Sequence, residues 1–98
     1  MYNIKIFSEA EKDFDEIADY LAAFSEQTAI KYYDFITEKI NSLDFMSERC
    51  PLVRDIQFYL RGYRMLIVKN YIVFFVINGN TVEIRRILYA KRQYGDLL

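Results

Sequence analysis

Tyr2, Ile4 and Ile6 alternate with Asn3 and Lys5, the two-residue period of a half-buried strand. Ser8-Glu9-Ala10-Glu11 follows with the spacing of a capping box and predicts the start of a helix. Ala10, Phe14, Ile17, Leu21 and Phe24 then recur at intervals of four and three, one apolar stripe opposed by Glu11, Asp15, Glu16 and Asp19. Ser25 is placed to cap a second helix, in which Ala29, Tyr33, Ile36, Ile40 and Leu43 repeat the stripe. Two helices with almost no loop between them predict a helical hairpin lying on a sheet.

Residues 46–60 lose all periodicity, and Pro51 among charged neighbours marks a connector that Leu52, Val53, Ile56 and Phe58 should pin down. Residues 62–68, 71–77 and 81–88 then read as three strands of an antiparallel meander, joined by Lys69-Asn70 and by Asn78-Gly79-Asn80. The fold class is therefore α+β: an N-terminal strand, a helical hairpin and a three-stranded antiparallel meander, in one domain over residues 1–98. The run YIVFFVI at 71–77 is apolar on both faces, so its strand should be central and covered twice. The helices supply one cover; the connector and tail, or a separate chain, must supply the other.

Charge divides the chain. Residues 1–48 hold four lysines against eleven carboxylates, net −7, whereas 49–98 hold nine cations against three carboxylates, net +6. The overall value of −1 hides a local cation. Hydrophobic content of 53%, with nine Tyr and eight Phe, fills a thin two-layer core or leaves apolar surface for a partner. The absence of His excludes a His-based triad, and the lone Cys50 excludes an internal disulfide and a cysteine zinc site. No metal or cofactor is expected. The apolar run at 71–77 is far short of the ~20 residues that span a bilayer, and the N-terminus lacks a signal-peptide layout, so a cytoplasmic protein without a membrane partner is expected.

The order of elements and its motifs resemble the RelE/ParE superfamily of toxins from type II toxin–antitoxin modules, over essentially the whole chain. The opening is carried by Phe7-Ser8, Ala10, Asp13, Ile17 and Tyr20. The second half is carried by Gly62, Arg64, Leu66, Val68, Asn70, Tyr71, Val73, Phe74 and Phe75, and then by Val82, Ile84, Arg86, Ile87, Leu88, Tyr89 and Arg92. The ParE-like branch is the closer. That resemblance implies a toxin neutralised by a cognate antitoxin, which lays a partly disordered segment across the sheet and helices, in a homodimer or a heterotetramer with that antitoxin. ParE-like members poison DNA gyrase, whereas RelE-like members enter the ribosome and cleave messenger RNA.

Cleavage of RNA through its own 2′-hydroxyl needs a base, cations around the phosphate and an acid for the leaving oxygen. RelE-like enzymes carry an arginine roughly where this chain has Ile72, and a lysine pair where it has Arg64, Met65 and Leu66. The near-neutral net charge also suits the anionic ribosome poorly. The ParE-like reading, which asks for a binding surface and no catalytic group, is therefore preferred, with ribosome-dependent cleavage and a non-toxic binding module as alternatives.

Arg64, Arg86, Tyr89, Arg92 and Tyr94 are the candidate target- or antitoxin-binding residues, with no catalytic residue assigned. Arg64 reads equally as a surface arginine paired with Asp34 or Glu38. Arg86 interrupts the Val82, Ile84, Leu88 face and needs a carboxylate, from Glu83 or a helix, to be stable there. Tyr89, Lys91, Arg92 and Tyr94 fall just beyond the last strand, where cations and aromatic rings can grip a phosphate or stack on a base; alternatively Tyr94 folds back on the sheet with Leu97-Leu98.

Overall fold

The computed structural model describes residues 1–91. It holds β1 (Asn3–Ile6), α1 (Ser8–Ala22), α2 (Glu26–Asn41), α3 (Leu43–Met46), a 3-10 turn at Ser47–Arg49, α4 (Ile56–Leu60), β2 (Tyr63–Val68), β3 (Tyr71–Asn78) and β4 (Thr81–Tyr89). The strands form one sheet in the order β1-β4-β3-β2. The meander β2-β3-β4 is antiparallel throughout, and β1 adds to its β4 edge in parallel. The expected α+β architecture is thus the observed one.

The helix starts differ from each other in their chemistry. Ser25 does cap α2, its Oγ accepting from Thr28 N at 3.3 Å. Ser8 does not cap α1, because the chain leaves the sheet at Phe7, whose N donates to Ile84 O at 2.9 Å and whose carbonyl accepts from Glu11 N at 3.0 Å. Phe7 is therefore the N-cap, and Ser8, already helical, donates its hydroxyl to Glu9 instead. Phe24 lies past the last turn of α1 and is exposed, so the apolar stripe ends at Leu21.

β3 is sandwiched as its composition requires. On the helix side, Val73 and Phe75 pack with Ile36, Ile40, Ile84 and Ile87. On the other side, Ile72 and Phe74 pack with Leu88, Val53 and Phe58. The connector supplies this second cover. Val53 N donates to Tyr63 O at 2.8 Å and Met65 N to Pro51 O at 3.0 Å, so residues 51–53 extend along the open edge of β2. Asp55 then caps α4 by accepting from Gln57 N at 3.0 Å, which turns Phe58 under the sheet. Gly62, at φ +78°, lets the chain reverse from α4 into β2. Ile56, expected to help anchor the connector, is 65% exposed, because the single turn of α4 can bury only the side that carries Phe58.

A bulge interrupts the pairing of β3 with β4: Phe74 faces Arg86 and Phe75 faces Ile84, leaving Arg85 as an extra residue. The alternation Val82, Ile84, Leu88 is broken there. Val82, Ile84 and Ile87 face the helices, while Leu88 faces the connector.

The two connector residues should behave oppositely in denaturant unfolding. Phe58, 5% exposed, should lose about 3 kcal/mol or more on Phe58→Ala, whereas Ile56→Ala should change stability by less than about 0.5 kcal/mol. Equal effects would contradict the connector as the second cover.

Candidate functional site

The bulge leaves β4 one residue out of step beyond the end of β1, so the edge of β4 needs another partner from Arg86 onwards. Asp13 on α1 provides it. Its carboxylate accepts from Arg86 Nε at 2.7 Å, from Arg86 Nη2 at 2.9 Å and from the backbone N of Ile87 at 3.0 Å. Asp13 falls on the apolar side of its helix, three residues after Ala10, and is buried. A charge on an apolar stripe is the sequence signal that marks it. The hydrogen bonds that Arg86 donates to Asp13 hold its guanidinium above its usual pKa, and the pair is a bidentate bridge between α1 and β4. The helix carboxylate that Arg86 needs is therefore Asp13, and Glu83 pairs instead with Arg85 at 2.9 Å.

Arg64 turns to the connector. Its Nη1 donates to the carbonyls of Cys50, at 2.7 Å, and Glu48, at 3.2 Å. Neither Asp34 nor Glu38 is its partner in a salt bridge among the described residues. Tyr2 reinforces the same corner by donating its hydroxyl to the Glu48 carboxylate, and that bond pushes its phenol pKa up. Burial likewise raises the Cys50 thiol, which keeps it protonated and poorly nucleophilic at neutral pH.

Tyr89 stands at the end of β4, 43% exposed, its ring edge-on to Tyr71 at 5.8 Å. Tyr71 in turn meets Tyr32 edge-on at 6.1 Å. These rings line a cleft of about 580 Å³ between the helices and the β3–β4 end, with Tyr20 and Glu16 on its α1 wall. Tyr32 and Glu16 were hidden in the sequence because neither sits on its helix's expected apolar stripe. Arg92 and Tyr94 lie outside the described residues. Of the described candidates, Arg64 is at the connector, while Arg86 is tied to Asp13, which lines the same cleft as Tyr89.

On the connector side, Ile56, Tyr59 and Leu60 are exposed along α4, flanked by exposed Arg54 and Arg61. This small apolar and basic surface had no periodic signal in the sequence. At the position where a ribonuclease reading wants an arginine, Ile72 is buried against Phe74 and Leu88. No helix among the described residues is long and apolar enough to cross a membrane.

A family model described as the ParE toxin of the type II toxin–antitoxin system parDE matches residues 4–94. Among solved structures, the chromosomal ParDE TA system from P. aeruginosa is similar in fold, with a TM-score of 0.77 and 22% identity, over 93% of this chain and 98% of that one. No curated protein matches the chain.

The bridge between α1 and β4 should be measurable as a coupling. Asp13→Ala should destabilise by about 3 kcal/mol, because it strands a guanidinium and a backbone N–H at once. A double-mutant cycle with Arg86→Ala should return about 2 kcal/mol of interaction by denaturant titration, and additive single effects would contradict the pairing.

Proposed function

The chain belongs to the ParE toxin family of type II toxin–antitoxin systems, and from that premise we propose that it arrests growth by inhibiting DNA gyrase and is held silent by a cognate antitoxin. The observation that carries this reading is the use of the sheet arginines. Arg64 is bonded to connector carbonyls and Arg86 to Asp13, so both serve the scaffold. Ile72 is buried roughly where RelE-like enzymes carry an arginine, so among the described residues an apolar side chain replaces one cation of the set that RNA cleavage needs. Inhibition by binding asks only for a complementary surface.

In this reading the toxin acts in the cytoplasm, where gyrase and its DNA are found. The target-facing surface includes Tyr89 and positions that follow it, Arg92 and Tyr94 among them. Arg64 and Arg86 support that surface by fixing the connector and β4 rather than by touching the target.

Induced expression in a bacterial host should arrest growth, and the purified protein should inhibit supercoiling by gyrase without cutting messenger RNA in a translating extract. Ribosome-dependent cleavage in that extract would overturn the gyrase reading. The double variant Arg92→Ala with Tyr94→Ala should lose at least tenfold in inhibitory potency while unfolding at the wild-type denaturant midpoint. Full potency in that variant would remove those two residues from the surface.

A further inference from the structure

The cleft beside α1 has an unusual lining. Tyr71 sits at its floor, 6% exposed, between the rings of Tyr32 and Tyr89, and Tyr20 stands 61% exposed on the opposite wall. Burial, reinforced by the neighbouring phenols, raises the Tyr71 pKa, so its ring stays neutral at physiological pH. Phenol rings around one cleft offer π surface to a cation.

The charge at the cleft has the matching sign. Asp13 is saturated by Arg86 and Ile87, but Glu16, one turn further along α1, makes no ion pair among the described residues. Residues 8–22 carry six carboxylates against one lysine, so the field over this wall is negative. Elsewhere the chain supplies its own cations to its rings: Lys5 and Arg85 to Phe7, Lys39 and Lys69 to Phe35, Arg61 to Phe58. Among the described residues, none lies over the four cleft tyrosines. At about 580 Å³ the cleft falls in the range of small-ligand sites and exceeds one side chain, so a cation would enter with an apolar neighbour against Ile17 and Leu21.

We propose that this cleft binds an arginine or lysine side chain of the antitoxin, the cation lying on Tyr89 and Tyr71 and pairing with Glu16. The proposal rests on the toxin–antitoxin reading above and adds the chemistry by which the partner is recognised. A basic residue flanked by aliphatic ones is the sequence feature the antitoxin segment must carry.

The test is an NMR titration of the full chain with two capped tripeptides, leucine-arginine-leucine and the same peptide with citrulline, which keeps the shape and removes the charge. The arginine peptide should shift the ring resonances of Tyr71 and Tyr89. Affinity should fall about tenfold with citrulline, and about tenfold for the arginine peptide on Glu16→Gln. Equal binding of the two peptides, or shifts that spare both rings, overturns the cation site. Co-expression with the antitoxin separates the premises. Neutralisation of wild type and Glu16→Gln with equal affinity overturns the cleft as the recognition point and leaves the toxin–antitoxin reading standing. Charge-selective peptide binding by a protein that no antitoxin neutralises overturns the antitoxin as occupant.

Discussion

β3 is apolar on both faces, and that constraint organises the molecule. A strand with Val73 and Phe75 on one side and Ile72 and Phe74 on the other cannot lie at a surface or at an edge. It must have a strand on each side and a layer above and below. The helical hairpin provides one layer, but a chain of this length has few residues left for the second. The connector meets the need with very little secondary structure, by pairing residues 51–53 to β2 and folding Phe58 under the sheet.

Both layers are tied to the sheet, each by one arginine. Arg64 reaches the carbonyls of Glu48 and Cys50 and fixes the start of the connector. Arg86, carried out of step by the bulge, meets Asp13 and fixes α1 over the far end of β4. Each satisfies backbone groups or a buried carboxylate that would otherwise be costly to desolvate. A pattern of arginines on strands that suggests an anionic target is, for these two, a pattern of internal ties.

The consequence for function is a division of surfaces. The acidic helices cover one face of the sheet, and the connector, in which Arg49 and Arg54 balance Glu48 and Asp55, covers the other. A protein of nearly zero net charge thus concentrates its negative charge on the helix side. The tyrosine cleft opens on the acidic side, at the end of β4, where the exposed Tyr89 stands. A cationic partner segment would be drawn to the cleft on this acidic side.

Local sequence determined the order of the four strands and two long helices, the central place of β3, the hairpin turns and the Ser25 cap, because each depends on residues within a turn or two of one another. It also implied that Arg86 required a carboxylate, since a guanidinium among apolar residues has no other stable state. Which carboxylate was a tertiary decision. Asp13 and Arg86 lie 73 residues apart, and the bulge that brings them together arises from packing between strands rather than from any local preference. The same holds for the connector, whose cover over Phe74 has no period to read, and for the cleft, whose Tyr32, Tyr71 and Tyr89 come from three elements. Local pattern specifies which faces must be buried; only the folded chain decides what buries them.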